Sequence, residues 1–371
     1  MKLLILTQKV DKNDDILGFF HGWIAKFAKY CEKVTVVALG TGLPCEISQS
    51  DNFSKRKTIS QGNYDLPQNV KVLSLGKEST SQKSKVHKVK SRQKYIFNFY
   101  KYIWRERKNY DTVFVHMNPE YVVLGGLFWK IWRKEIGLWY LHKAVNLKLR
   151  MAEKLADIIF SATPESFRLQ TKKLKITGHG IDLNKYNCEA GRQNKFDVLC
   201  VGRISPIKNQ KLLIEAVDIL VNQKNQENLK AVFVGGASSD KDRIYREELR
   251  KLVKNKKLEK NIFFEGAVPN TEIVRYYCGA KLSVNLCPTG GADKVVLEAM
   301  ACELPVIVLN KTFQNILPRE FILKNADPKE LAEKIVKISN ENKPQTELRR
   351  EIIKRHGLNN LIKNIINSYY A

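Results

Sequence analysis

Short, near-continuous apolar runs rich in β-branched residues alternate with helical patterns along most of this chain. Leu3–Thr7, Val34–Leu39, Val70–Leu75, Thr112–Met117, Gly137–His142 and Asp157–Ala162 read as strands. Between the first two, Phe19, Phe20, Trp23, Ile24 and Phe27 fall at helical spacing within Gly18–Tyr30. Strands that are apolar on both faces belong to a parallel sheet covered by helices on both sides. The rhythm breaks over Ile181–Lys195, where Asn187, Gly191, Arg192, Gln193 and Asn194 carry no apolar period. It then restarts with strand candidates at Phe196–Gly202, Lys230–Gly236, Asn261–Gly266, Ala280–Leu286 and Pro305–Asn310. Helical stretches lie between them at Asn209–Val221, Asp242–Lys254, Thr271–Cys278 and Val295–Cys302. The expectation is an α/β chain of two Rossmann-like, doubly wound parallel-sheet domains facing across a cleft, with ligands outside the carboxyl ends of strands. The expected boundaries are 1–187, a linker at 188–195, 196–355, and a terminal helix over 356–371 packing back toward the first domain. A chain of 371 residues suits two such domains.

Charge narrows the partners less sharply. With 64 Lys and Arg against 38 Asp and Glu, the net charge is +26. That fits a polyanionic partner (a nucleic acid, an anionic membrane or phosphorylated substrates) and equally fits lysines on solvated faces. Basic residues crowd between Lys77 and Lys108: Lys83, Lys85, Lys88, Lys90, Arg92, Lys94, Lys101, Arg105 and Arg107. Tyr95, Phe97, Phe99, Tyr100, Tyr102 and Trp104 stand among them. Such interleaving marks an interfacial helix or a nucleic-acid surface, and also an ordinary helix laying an aromatic stripe on a sheet. Contact with an anionic membrane through 83–108 is the functional expectation; nucleic acid is not expected. Ser48–Gln61 reads as a polar loop.

The cysteine count is odd, at seven, with no CxxC pair and no zinc spacing. Cys200 and Cys287, inside apolar runs, read as small buried hydrophobes in a reducing compartment. The opening MKLLILTQ is too short in apolar length for a signal peptide. Tyr121–Trp132 is too short to span a bilayer. The expected location is the cytoplasm, peripheral on the inner face of the membrane.

Two constellations carry chemistry. In VLCVGRISPIKNQKLLIEAV, residues 198–217, a strand ends at Gly202, with Arg203 next and Lys208 just before a helix. A guanidinium fork, an ammonium point charge and a helix start together suit a diphosphate. In NLCPTGGADKVVLEAMACELPVIV, residues 285–308, a strand runs into Pro288, Thr289, Gly290 and Gly291, and a helix opens near Asp293. Its glycines admit close backbone approach, and its first N–H groups suit phosphate. Glu298, beside Leu297 and Met300, is a carboxylate that packing does not require. It reads either as a ribose ligand or as a solvated helix residue. Asp14-Asp15 reads as loop chemistry rather than a metal-binding pair.

GRISPIKN followed by DKVVLEAMACELPVIV resembles the retaining glycosyltransferases of family 4, which have the GT-B fold. ADIIFSATPESFR from Ala156, ITGHGIDLNKY from Ile176, FVGG at 233–236, FFEGAVPNTEIVRYY at 263–277, DPKELAEKIVKI and KRHGLNNLIKNII fit the same family in order. The resemblance implies that the second domain binds a nucleotide-diphosphate sugar and the first faces the acceptor. It implies that Arg203 and Lys208 hold the diphosphate and stabilise the leaving nucleotide, and that Glu298 holds the ribose. It places Val268 at the base and His142 beside the donor sugar. Gly18, Gly202, Gly290, Gly291, Ala292, Asp293 and Val295 complete the donor-binding set. No metal and no cofactor beyond the sugar nucleotide are expected.

The chain departs from the family at three places. Gly290 stands where the first glutamate of the paired motif is usual, with Asp293 and the N–H groups of Gly291 and Ala292 as substitutes. Glu303 replaces a glycine where a relaxed backbone is needed, so local strain is expected. His179 replaces the commoner Asn. The expected activity is retaining transfer of a hexosyl group from a UDP- or GDP-sugar to a glycan or lipid-linked hydroxyl. The alternative is a degenerate GT-B protein that binds polyanionic glycans or membranes. An epimerase would need carboxylates that are not seen. His116, in FVHMNPEY, reads as structural rather than catalytic.

Overall fold

A computed structural model describes residues 1–41, 64–77, 85–188, 193–341 and 344–370, and of 85–91 the backbone only. Cys45, Lys83 and the expected loop Ser48–Gln61 lie outside the described residues. The chain forms two compact units, residues 1–178 with 359–371, and residues 179–358.

The first unit holds β1 (Lys2–Val10), β2 (Lys33–Thr41), β3 (Val70–Ser74), β4 (Thr112–His116), β5 (Glu135–Trp139), β6 (Ile158–Ser161) and β7 (Leu174–Ile176). They pair in parallel in the order β3-β2-β1-β4-β5-β6-β7. Leu3, Leu4, Ile5 and Leu6 have no exposed surface, because helices cover both faces of the sheet. β7 was not expected; its short LKI run is largely exposed at the sheet edge and carries no apolar signature. β5 ends at Trp139, so His142 does not close the strand as its sequence suggested. The backbone amide of Tyr140 still donates to Phe160, at 3.0 Å, and His142 follows in irregular, exposed chain.

The second unit holds β8 (Phe196–Val201), β9 (Ala231–Val234), β10 (Ile262–Gly266), β11 (Ala280–Asn285) and β12 (Val306–Val308). They too pair in parallel, in the order β10-β9-β8-β11-β12. Each sheet therefore reverses its winding beside its first strand, between β1 and β4 and between β8 and β11. Helices leave toward opposite faces there, and a crevice opens at the carboxyl ends.

The domain boundary falls earlier than the sequence suggested. Cys188 lies inside the second unit, bonded by a disulfide to Cys278. The Gln193 amide donates to the Cys278 carbonyl at 2.9 Å. What read as a linker is tied to the second unit by these bonds. Cys200 and Cys287 are free and buried, as their apolar runs suggested, and so are Cys31 and Cys302; the Cys188–Cys278 bridge does not fit the expected reducing compartment. The pairing joins residues 90 apart, a contact that spacing alone does not reveal. After the helix Leu358–Ser368, the Tyr369 hydroxyl donates to the Val113 carbonyl at 2.9 Å, within the first unit.

Backbone shape at the carboxyl ends of the second sheet is set by glycine. Gly235 has φ +149°, and a Cβ there would lie 2.0 Å from the Gly202 carbonyl oxygen. The Gly202 amide donates to Val234 and the Gly235 amide to Gly266, lacing three strand ends together. Gly235→Ala should cost about 3 kcal/mol, because it combines a strained φ with a clash against backbone. Chemical denaturation of the variant against wild type measures it.

Candidate active site

Both predicted constellations lie at the winding reversal of the second sheet. β8 delivers Gly202 and Arg203. The turn Pro206–Lys208 follows, and Asn209, with φ +52°, starts the helix Gln210–Asp218 from the left-handed region. β11 delivers Asn285 and the glycine loop, and the helix Lys294–Ala301 follows.

The fold joins the two through an ion pair. Lys208 Nζ donates to Asp293 Oδ2 at 2.6 Å, and Asn285 Nδ2 donates to the same oxygen at 3.0 Å. Asp293 is the N-cap residue of its helix but makes no capping bond. Its carboxylate reaches sideways to the lysine instead. Both side chains keep about a quarter of their surface exposed, at 24% each. Arg203 is half exposed, with Nε 3.9 Å from Asp242, and Gln210 Nε2 donates to the Arg203 carbonyl at 3.0 Å. Two cations thus stand at one strand end, one held by a neighbouring carboxylate and one reaching toward solvent.

The glycine loop is fastened from β12. Asn310 Nδ2 donates to the Gly291 carbonyl at 3.1 Å, and Thr312 Oγ1 to the Gly290 carbonyl at 3.1 Å. Both carbonyls are turned away toward these donors. Gly290 has φ +132°, and a Cβ there would meet nothing nearer than Asn310 Nδ2 at 3.8 Å. Space is available for a side chain, but the backbone conformation is one that only glycine adopts easily. At this position the chain offers no carboxylate, and a side chain here would be strained. Ala292 is buried, while Gly291 and Val295 are half-buried. Val268, half-buried in the loop after β10, packs against the core.

Glu298 is not solvated. It is 5% exposed, and its Oε1 accepts from Tyr186 at 2.8 Å while Oε2 accepts from Tyr277 at 3.0 Å. Lys294 Nζ lies 3.8 Å from Oε1. Burial and the adjacent carboxylate hold both tyrosine hydroxyls well above their usual range. Burial pushes the Lys294 ammonium down to about 7, against the opposing pull of Glu298. Lys185, half-buried nearby, is also lowered by burial.

Tyr186, Tyr277 and Lys294 are polar partners that the sequence reading missed. Lys294 carried a usable signal, because it sits four residues before Glu298 on one helix face. The tyrosines come from distant segments and gave none. His179 is also buried, against His356 at a ring separation of 5.9 Å, and burial lowers it to about 3. It is thus a neutral imidazole in the core. Glu303 has φ +55°, the left-handed conformation for which glycine is the usual choice.

In the first unit, Gly18 caps the helix Phe19–Ala28 after the loop that leaves β1. Asp14 folds this loop by accepting from the Leu17 amide at 2.6 Å and the Ile16 amide at 3.0 Å. Its other oxygen accepts from Lys9 at 2.5 Å. His116, at the end of β4, is buried and stacked on Phe20 at 3.9 Å, with Thr7 Oγ1 3.3 Å from Nδ1. His142 is exposed, and its ring lies edge-on to Tyr140 at 5.5 Å.

Residues 188–356 match the family described as "Glycosyl transferases group 1". This group 1 segment makes up nearly all of the second unit. A D-inositol 3-phosphate glycosyltransferase of Corynebacterium efficiens is 26% identical over 175 residues, which cover 43% of this chain and 39% of that protein. The match therefore spans less than half the length of that relative. Among solved structures, HepE of Anabaena in complex with UDP has a TM-score of 0.70 at 18% identity over 100% of both chains. Sucrose-phosphate synthase of Thermosynechococcus elongatus has 0.70 at 15%, covering 100% of this chain and 98% of that one. TarM of S. aureus, in complex with fondaparinux, α-GlcNAc-glycerol and UDP, has 0.68 at 13% over 100% of both. Such likeness carries the fold. The chain has the GT-B fold of two Rossmann-like parallel-sheet domains, and the match to group 1 falls in the second of them.

The low value for Lys294 has a direct consequence for stability. Its folded value of about 7 lies below the unfolded 10.5, so the unfolded chain binds more protons between them. Stability gains from this group as pH rises through that window. Lys294→Met should flatten the gain, and urea unfolding at intervals from pH 7 to 10.5 compares the two slopes.

Proposed function

We propose that the protein transfers a hexosyl group, with retention, from a UDP- or GDP-linked sugar to a hydroxyl of a glycan or lipid-linked acceptor. The observation that carries this reading is the convergence of Arg203, Lys208 and the start of the helix Lys294–Ala301 at one winding reversal, in a segment that matches group 1 glycosyl transferases. UDP in the complexes of HepE and TarM supports a nucleotide-linked donor.

In this reading the diphosphate takes the place of Asp293 as the partner of Lys208. Arg203 adds its guanidinium fork, and the first N–H groups of the helix after Gly291, Ala292 and Asp293 face the phosphate. As the anomeric carbon–oxygen bond breaks, charge grows on the diphosphate, and these fixed groups stabilise it. The acceptor hydroxyl forms the new bond, and its proton passes to the departing phosphate oxygen. Asp293, released from Lys208, turns to the sugar hydroxyls in place of the glutamate that Gly290 lacks. Glu298 has about four acceptor positions and already serves two tyrosines, leaving room for one ribose hydroxyl. Gly202 gives the phosphates backbone access, Val268 meets the base, and Val295 supports the helix start. Gly18 and His142 are assigned to the donor by family resemblance. The cations supply the charge that a divalent metal would otherwise provide.

Arg203→Ala and Lys208→Ala should each weaken UDP or GDP binding by one to two orders of magnitude, about the worth of a charge-assisted hydrogen bond. Both side chains are partly solvated, so unfolding free energy should move by no more than about 1 kcal/mol. Calorimetry with both nucleotides, and transfer assays with and without a chelator, check this. Intact nucleotide affinity in both variants refutes the assignment. Nucleotide binding without any turnover favours the degenerate GT-B alternative.

A second observation bears on the acceptor side. The helix Lys85–Arg105 buries Phe99 and Ile103 on the sheet but leaves Phe97 at 69% and Trp104 at 54% exposure. The neighbouring helix Pro119–Ile131 exposes Leu127 and Ile131. Ring contacts join the two faces, Trp104 to Trp132 at 5.5 Å and Tyr100 to Phe128 at 5.6 Å. Arg107 lies over Trp104 at 4.8 Å, and Arg105 and Lys130 stand exposed at the margin. Apolar rings rimmed by cations are complementary to an anionic bilayer surface. No helix of the described residues is long and apolar enough to cross a membrane. We propose that this face makes a peripheral contact with anionic lipid, on the inner face of the cytoplasmic membrane. Serine at Phe97, Trp104 and Ile131 together should reduce cosedimentation with phosphatidylglycerol vesicles at least about tenfold, while UDP binding is unchanged. Equal cosedimentation of variant and wild type removes the surface from consideration.

A further inference from the structure

Three cysteines gather behind the Glu298 network. The Sγ atoms of Cys188, Cys278 and Cys302 all lie within 4.8 Å of one another. Cys188 and Cys278 are bridged and half-buried, whereas Cys302 is a free thiol at 2% exposure. Each cysteine stands close in sequence to one member of the network. Cys188 follows Tyr186 by two residues, and Cys278 directly follows Tyr277. Cys302 caps the helix that carries Glu298, and its amide donates to the Glu298 carbonyl at 3.1 Å. A bridge over residues 90 apart thus clamps together the two segments whose hydroxyls hold one carboxylate.

We propose that these cysteines form a site with two alternative bridges related by thiol–disulfide exchange, and that the choice of bridge sets how firmly Glu298 is held. The Cys302 thiolate attacks Cys278 Sγ, the Cys278–Cys302 bond forms, and the Cys188–Cys278 bond breaks. Cys188 leaves as a thiolate and takes up the proton that Cys302 lost, so the exchange consumes no oxidant or reductant. Cys188 is the sulfur released because it lies in irregular chain, whereas Cys278 lies in the helix Ile273–Gly279. Freed from the bridge, that segment no longer presses Tyr186 onto Glu298. Burial pushes the Cys302 thiol up to about 12, which keeps the thiolate scarce and the exchange slow near neutrality. The consequence for the sugar nucleotide rests on the ribose role proposed above for Glu298. The paired bridges themselves do not.

The test uses the full chain and two variants, Cys188→Ser and Cys302→Ser, equilibrated in glutathione redox buffers and trapped with acid and alkylating agent. Peptide mapping without reduction should find Cys188–Cys278 in wild type, joined by Cys278–Cys302 as pH rises. Cys188→Ser should form only Cys278–Cys302, and Cys302→Ser only Cys188–Cys278. Oxidised Cys188→Ser should bind UDP about tenfold more weakly than oxidised Cys302→Ser, read by thermal shift against UDP concentration. Failure of Cys188→Ser to form the second bridge under conditions where Cys302→Ser forms the first overturns the site. So does isolation of the protein with three reduced thiols and one equivalent of zinc. Equal UDP affinity in the two oxidised variants overturns the coupling to Glu298. Absence of UDP binding in every form refutes the nucleotide reading instead, and the bridge map alone then decides the exchange.

Discussion

Two parallel sheets that each reverse winding beside their first strand dictate where this protein can do chemistry. In the second unit, β8 and β11 are neighbours whose following chains depart to opposite faces. Residues separated by 85 positions, Lys208 and Asp293, therefore meet as an ion pair at the carboxyl ends of these two strands. Everything assigned to the diphosphate depends on that reversal. With β8 and β11 apart, the cations and the helix start would be unrelated surface features.

The pair also gives the basic strand end a carboxylate partner within the protein itself. An ion pair with a quarter of each side chain still in solvent contributes little stability, so Lys208 is cheap to redirect. Glu298 behaves oppositely. It is buried and bonded to two tyrosines, so it holds its place in the core firmly. One carboxylate is adaptable and the other fixed, on the same short helix. That division suits a site that must accept a charged ligand without losing its own packing.

The first unit shows a similar contrast between two histidines. His116 is stacked among Phe19, Phe20 and Trp23, where its ring serves packing. His142 stands in exposed, irregular chain, available to a ligand. Position at a strand end did not distinguish them, because both sequences read as apolar strands closing on histidine. What separates them is the helix Phe19–Ala28 lying over one and not the other.

Local pattern was enough to reveal the parallel α/β class, most strand cores and the two phosphate-suited segments. Those are properties of consecutive residues: apolar runs, a cation pair after a strand, and glycines before a helix. Strand ends were misread in both directions: the strand read to His142 ends at Trp139, because hydropathy continues past it, and β1 and β2 run on into polar residues beyond their apolar runs. The edge strand β7 went unseen because an exposed strand needs no apolar run. The Cys188–Cys278 bridge, the Tyr186–Glu298–Tyr277 cluster and the Lys208–Asp293 pair were decided only in three dimensions. Each joins segments whose separation in sequence carries no information about their distance, and only the sheet order brings them together.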